Sequence, residues 1–354
     1  MIRCKMSLKS RMTKCRRHLR SVLLFIYFSL LGFALFNYKS HCVYTMPDAL
    51  LQMSQIGHSS EGKCKINIAE LDEVKVDIFS EPSEKEIQAI NPEVKKGGVY
   101  SPKKCQAWQK VAIIIPYRDR YHFLMILLNR LLPMLQRQQL NFRIFVVEQA
   151  GDKQFNRGKL MNVGYLEALK FDKFDCFVFQ DADLLPETDK NLYMCDPHAR
   201  HLASAINEMR YHVMYYNYAG GVIALNRENY HRINGYSNSY WGWGNEDDDF
   251  SARILESGLL LTRPPEHIGR YKMVRHKKQT RSDHGNEMFL GWRSRWMTDG
   301  LSDPDGMNYT RLQLEELPLY THVKVDIGDP PAQMRLGNPD ELVSLWWFLK
   351  FYFP

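Results

Sequence analysis

The chain has 354 residues, 45% of them hydrophobic, with 47 Lys and Arg, 40 Asp and Glu and seven Cys. That is enough apolar residue for one large domain with its own core plus attachments. Nine of the bases (Arg3, Lys5, Lys9, Arg11, Lys14, Arg16, Arg17, Arg20 and Lys39) fall in the first 40 residues with no acid, which leaves 38 bases against 40 acids, so the net charge of +7 belongs to the tail and the body carries no nucleic-acid footprint.

Ser21–Tyr38 is 18 residues without a charge, about the minimum for crossing a bilayer. Eight of the nine bases precede it, which predicts a cytosolic N-terminus and a translocated body. A cleaved signal peptide fits less well: the basic region is long and Asn37-Tyr38-Lys39 is a poor small-residue cleavage site. Cys4 and Cys15 are then cytosolic and Cys42 lies just past the span. Cys64, Cys105, Cys176 and Cys195 lie in an oxidising compartment, where four cysteines allow three pairings. Residues 39–100 read as a polar stem passing into the body, with a loose alternation over Ile66–Phe79 that predicts a strand.

Lys110–Pro116 is a continuous apolar run, the signature of a buried parallel strand, and Tyr117-Arg118-Asp119-Arg120 follows at its carboxyl end. A helix is predicted over Tyr121–Gln139, a strand over Asn141–Glu148, a loop over Gly151–Arg157 and a helix over Lys159–Leu169. Phe177–Phe179 is the third strand, ending in Gln180 and Asp181-Ala182-Asp183. Strand–helix alternation at this pitch predicts a doubly wound α/β sheet, whose ligands bind beyond the carboxyl ends of the strands. Arg118 and Arg120, then Phe155 and Arg157, then Asp181 and Asp183 all arrive at that edge, as a phosphate and its metal would require; ordinary salt bridging at the rim is the plainer alternative.

Gly220-Gly221 in Asn217–Leu225 permits close approach of a ligand or another backbone. In Tyr240–Phe250, Trp241 and Trp243 alternate with Gly242 and Gly244 before four acids, Glu246 to Asp249. Rings and carboxylates together suit a sugar, and acids also suit the first turn of a helix, here expected from about Asp247. Met273 and His276 lie three apart, which is more often packing than ligation. Lys277–Glu287 reads as a mobile loop, Asn308-Tyr309-Thr310 is an N-glycosylation sequon, and Leu342–Phe353 is an aromatic tail too short for a second span.

IIIPYRDR, FNRGKLMNVG, FVFQDADLLPE, NYAGGVIALNRENYHRINGYSNSYWGWGNEDDD, GRYKMVRH and TDGL with PLYTHVKVDIG, in this order across Cys105–Gly328, resemble the β-1,4-galactosyltransferase family of Golgi type II enzymes. The resemblance implies a GT-A type, Rossmann-like α/β domain with a mixed central sheet at 101–330. Before it come a cytosolic tail (1–20), a single transmembrane helix (21–38) and a lumenal stem with the N-terminal part of the body (39–100); the tail at 331–354 follows. It implies donor contacts from Pro116, Tyr117, Arg118, Asp119, Arg120, Phe155, Asn156, Arg157, Ala182, Asp183, Tyr218 and Trp243. Mn²⁺ is implied on Asp183, Met273 and His276, with Asp247 as catalytic base. Gly244, Asn245, Glu246, Asp247 and Asp248 would hold the acceptor. Disulfides Cys176–Cys195 and Cys64–Cys105 and a glycan on Asn308 are also implied.

The expected reaction is inverting transfer of galactose from UDP-galactose to a terminal GlcNAc, in the Golgi, with no nucleic acid involved and a homodimer left open. Tyr218, two before the Gly pair, goes with galactose in the family, where a smaller residue there admits GalNAc. UDP-GalNAc as donor, or xylose of the proteoglycan linker as acceptor, are the alternatives. This chain departs from the family at Ala182 (usually Val), Ala219 (usually aromatic), Asn245 (often Gly) and over Lys277–Thr298, where Arg293 or Arg295 would have to replace an acceptor-binding Arg. A hydrolase using Glu246–Asp249 would not need the arginines or the metal set, and a binding protein without catalysis would not need the metal ligands.

Overall fold

The computed structural model describes residues 62–66, 71–275, 281–282, 284–332 and 336. The expected membrane span, His276 and the aromatic C-terminal tail lie outside these residues. No helix among the described residues is long and apolar enough to cross a membrane.

A short helix α1 (Glu84–Ile90), capped by a reciprocal Ser83–Glu86 box, precedes β1 (Val99–Tyr100). Then follow β2 (Lys110–Tyr117), α2 (Tyr121–Arg137), β3 (Asn141–Gln149), α3 (Arg157–Ala168) and β4 (Cys176–Gln180). Beyond β4 come β5 (Leu184–Pro186), β6 (Ala199–His201), β7 (Ala205–Ile206), β8 (Val222–Asn226) and α4 (Arg227–Arg232). Helix α5 (Glu246–Glu256), β9 (Leu261–Thr262), β10 (Arg270–Met273), α6 (Gly285–Leu290), α7 (Trp292–Arg295), β11 (Thr310–Glu316) and β12 (Thr321–Asp326) complete the chain.

The main sheet runs β11-β12-β3-β2-β4-β8-β6-β9, with β1 also on β3. Strands β12, β3, β2 and β4 are parallel, and β8 then runs antiparallel to both β4 and β6. The mixed sheet that the resemblance implies is therefore present. Because side chains alternate along a strand, Val111, Ile113 and Ile115 enter the core on one face with Ile144 and Val178, while Ala112 and Ile114 enter the other with Phe145, Phe177 and Phe179. Helix α2 covers the first face and α3 the second. Each such buried branched or aromatic side chain contributes about 1.5–3 kcal/mol, and this two-sided burial fixes the register.

Strand β4 stops where Asp181 begins, and the chain turns back into β5 of a separate small sheet, β5-β10-β7. Both disulfides form, Cys176–Cys195 and Cys64–Cys105. The first ties β4 to the segment after β5; the second ties residue 64 to the approach to β2. The strand expected over Ile66–Phe79 does not form among its described residues. Glu73 makes one antiparallel bridge to Thr188; Val76 and Ile78 pack beside Phe123 and Leu185. Backbone bonds from the Val74 N–H to the Glu187 carbonyl and from the Asp189 N–H to the Asp72 carbonyl hold it to the residues just past β5, and the pairing stops at that single bridge. The loop expected over Lys277–Glu287 is cut short by α6, which starts at Gly285.

Candidate active site

At the carboxyl edge of β2, β3 and β4 the three expected clusters do meet. Arg157, the first residue of α3, lies beneath them. Its Nε donates to Asp181 at 2.6 Å and its Nη2 to the Gly221 carbonyl at 3.3 Å, while its Nη1 stands 3.6 Å from Glu246. One guanidinium thus joins the end of β4, the turn before β8 and the start of α5. Arg120, from the end of β2, stands 3.6 Å from the buried carboxylate of Asp183. Arg118 points elsewhere, donating to the Lys153 carbonyl at 2.5 Å with its guanidinium over Phe155.

Two expected donor contacts lack a usable side chain. The Ala182 methyl is buried in the core. The fully buried Asn156 side chain accepts from the Lys159 N–H, capping α3, and donates to the Asn238 carbonyl. Either could meet a ligand only through the main chain. Pro116 is buried, Tyr117 half-buried and Asp119 exposed with a φ of 53°.

The Glu246–Asp249 run opens α5, one residue earlier than expected, and its members face different ways. Asp249 is fully buried, accepting from Arg253 at 2.5 Å, from Arg295 at 3.0 Å and from the Tyr240 hydroxyl at 2.9 Å. Asp248 accepts from the Tyr215 hydroxyl and from Asn245. Asp247 faces the Gly pair: a Cβ at Gly220 would lie 2.6 Å from Asp247 Oδ2 and 2.4 Å from the Tyr218 hydroxyl oxygen. A side chain at residue 220 would have to displace one of these two groups, because both converge where its Cβ would stand.

Asn245 caps this helix with a left-handed φ of 69°. Asn is among the few residues other than Gly that adopt it readily. Ala219 is buried in the aromatic core beneath the sheet, so it does not widen the site from the side. Arg295 is committed to Asp249 and Asp299 and Arg293 to Glu256; neither is placed to replace the missing acceptor arginine.

Trp243 is half exposed, flanked by Gly242 and Gly244 with φ of 90° and 111°. Its carbonyl accepts from the Ser282 N–H, and the Arg281 guanidinium lies over its ring at 5.4 Å. The Gly242 N–H bonds the Phe155 carbonyl, joining this loop to the donor side.

Carboxylates crowd the centre, and their protonation shows it. Burial, opposed by Arg157 and reinforced by Asp183, pushes Asp181 up to about 6. Burial and then Asp247 push Glu246 up to about 8 and Asp248 up to about 7, and burial raises Asp247 as well. Arg157 Nη1 and Glu246 Oε2 are buried without a hydrogen-bond partner. This density of negative charge suits a divalent cation, which would favour the ionised forms. Pairing of β10 with β5 sets Met273 opposite Leu184, and the Val274 N–H donates to the Asp183 carbonyl at 2.8 Å. Two of the three expected ligands are therefore neighbours; the third, His276, lies outside the described residues. Among the described residues no group of three His, Cys, Asp or Glu gathers for a metal.

A mixed α/β sheet with an acid-lined strand edge, a Gly-Gly turn and an acid-headed helix is the architecture of a GT-A type glycosyltransferase. Residues 64–196 match the model for the N-terminal region of glycosyl transferase group 7, and residues 200–277 that for the N-terminal domain of galactosyltransferase. β-1,4-Galactosyltransferase 4 of Homo sapiens is 48% identical over 248 residues, 68% of this chain and 70% of that one. β-1,4-Galactosyltransferase 3 of Cricetulus griseus is 45% identical over 270 residues, 74% and 67% of the two chains. The solved catalytic domain of Drosophila β-1,4-galactosyltransferase 7, in complex with xylobiose, aligns with a TM-score of 0.53 at 30% identity, covering 62% of this chain and 94% of that one. A mutant of the same Drosophila enzyme was solved with manganese, UDP-Gal and xylobiose. The chain belongs to the β-1,4-galactosyltransferase family and is a glycosyltransferase of that family.

Proposed function

We propose that this enzyme transfers galactose from UDP-galactose to a terminal GlcNAc of a glycoprotein or glycolipid glycan, forming a β-1,4 linkage with inversion. The carrying observation is the convergence of the Tyr218 hydroxyl and the Asp247 carboxylate on Gly220, beside the Asp181–Asp183 turn. Asp247 accepts the proton of the acceptor hydroxyl as that oxygen attacks the anomeric carbon. Glu246 and Asp248 flank it and, with the main chain at Gly244 and Asn245, orient the acceptor. Arg157 and Arg120 face the diphosphate. Mn²⁺ on Asp183, Met273 and His276 would neutralise the charge of the leaving group. Trp243 covers the donor and excludes water. Nothing in the arrangement pairs a nucleophile with a base for a covalent intermediate, so a single displacement suffices.

Tyr218 supports galactose over GalNAc: its ring fills the space an acetamide would need. Xylose as acceptor is the second reading, favoured by the Drosophila relative solved with xylobiose. We place the enzyme in the Golgi membrane, as the family resemblance implies, and read it as a single-pass type II protein from the charge asymmetry around residues 21–38. The exposed Asn308 is then a lumenal glycan acceptor. The test is a matrix of UDP-Gal and UDP-GalNAc against GlcNAc- and xylose-terminated acceptors, with and without Mn²⁺. Highest kcat/KM for UDP-Gal with GlcNAc is expected; turnover confined to xylose, or preference for UDP-GalNAc, refutes the corresponding part.

A further inference from the structure

Behind the Tyr218–Gly221 turn lie two buried residues that no motif singles out, His201 and Arg263. His201 ends β6 and is fully buried; Arg263 follows β9 and is 6% exposed. Strand β6 lies between β8 and β9, which brings both residues up against the turn that feeds β8. His201 Nε2 is 2.8 Å from the Gly220 carbonyl oxygen. Arg263 Nε is 3.1 Å from His201 Nδ1, and Arg263 Nη2 is 2.6 Å from the Tyr218 carbonyl oxygen.

A guanidinium can only donate, so Nδ1 accepts and carries no proton. The ring proton therefore sits on Nε2 and is donated to Gly220. The ring also stands edge-on to Tyr218, centroids 5.5 Å apart. Burial first, and the Arg263 charge second, lower the His201 pKa to about 3, so this neutral tautomer persists at any working pH. The carbonyls of Tyr218 and Gly220 are thus held by one Arg–His relay. Burial also lowers Arg263, to about 10, and neither of its hydrogen bonds above goes to a carboxylate. That is a costly way to hold an ordinary turn.

What the turn carries explains the cost. The Tyr218 hydroxyl and Asp247 converge beside Gly220 so closely that a methyl group there would displace one of them. A modest rotation of the Gly220 peptide would move the donor-side hydroxyl relative to the carboxylate.

We propose that His201 and Arg263 are positioning residues that lock the Tyr218–Gly220 turn and thereby set the donor-sugar preference and the approach of Asp247. Neither touches substrate, and both act through the turn. This rests on the reading of the site given under Proposed function.

The test uses the full chain in detergent micelles with His201→Gln, His201→Leu and Arg263→Gln. Gln at residue 201 keeps a donor for Gly220 and an acceptor for Arg263; Leu keeps neither. Readouts are kcat and KM for UDP-Gal and UDP-GalNAc, acceptor KM and the melting midpoint. His201→Leu should lower kcat with UDP-Gal by about 10-fold or more and shrink the UDP-Gal to UDP-GalNAc ratio of kcat/KM by a similar factor, with acceptor KM little changed. His201→Gln should stay within about 3-fold of the parent on both counts. A folded His201→Leu variant with parental kcat and donor ratio overturns the proposal. So does a loss of melting midpoint with the ratio intact. If His201→Leu does not fold, Arg263→Gln is judged by the same criteria. A wild-type protein that transfers neither sugar refutes the functional reading instead. The ¹H–¹⁵N ring spectrum then decides: an Nε2-protonated ring, assigned through His201→Gln, that does not titrate from about pH 5 to 8 supports the lock, and an Nδ1-protonated or titrating ring overturns it.

Discussion

Asp247 and Asp249 stand two apart on one helical turn and meet opposite environments. Asp249 is enclosed by Arg253, Arg295 and Tyr240, whereas Asp247 opens toward Tyr218 and Gly220. Asp247→Asn should therefore leave the melting midpoint and UDP-sugar binding near parental and cut turnover by about 10²-fold or more; loss of donor binding would mean a structural role. Asp249→Ala should do the reverse, leaving two buried guanidinium groups, Arg253 and Arg295, with Asp299 as their one remaining carboxylate, at a cost of about 3–5 kcal/mol, read as a large drop in denaturation midpoint. Asp183→Asn should abolish Mn²⁺-dependent turnover without unfolding, and retained turnover would remove it from the metal set. Tyr218→Leu should raise UDP-GalNAc use relative to UDP-Gal, because it opens space beside Gly220; an unchanged donor ratio would count against that role.

Helix α5 as an element carries a pH signature. Burial raises Glu246 to about 8 and Asp248 to about 7, against about 4 in an unfolded chain. Between those values the folded state binds more protons than the unfolded one, so stability falls as pH rises. The contribution is complete below about pH 4 and lost through about pH 7–8. The metal-free protein should melt at a higher temperature near pH 5.5 than near pH 8, and Glu246→Gln should flatten the slope; a slope of opposite sign would contradict the burial of these acids. The turn before β8 carries a second signature. Gly220→Ala should displace Tyr218 or Asp247 and cost activity more than stability, since the clashing atoms are side-chain ends rather than backbone.

For the whole molecule, the topological proposal makes one sharp demand: Asn308 must reach a glycosylating lumen. Expression in secretory cells followed by treatment with a peptide N-glycanase should shift the mobility of the parent but not of Asn308→Gln. An unshifted parent would argue against a lumenal body. The disulfides Cys176–Cys195 and Cys64–Cys105 point the same way, because an oxidising compartment is where such bonds persist.

By itself the sequence determined the sheet strands and the helices between them, because a period of two or of 3.6 in apolar residues is a local property: β2, β3 and β4 lie where their apolar runs predict, within a residue or two. It also determined which edge would be polar, since Arg120, Arg157, Asp181 and Asp183 each directly follow a strand or open a helix. The strand expected over Ile66–Phe79 reduces to one bridge, Glu73 to Thr188, because how far a segment pairs depends on the partner it meets, which local pattern does not encode. Only the tertiary structure decided that Asp249 is enclosed by Arg253, Arg295 and Tyr240 while Asp247 faces the Gly pair, that the side chains of Ala182 and Asn156 face inward, and that Met273 lies beside Asp183. It also decided that His201 and Arg263, 62 residues apart, are joined by a hydrogen bond behind the turn. Contacts over such separations depend on which strands the chain sets side by side, and that order comes from burying both faces of the sheet at once.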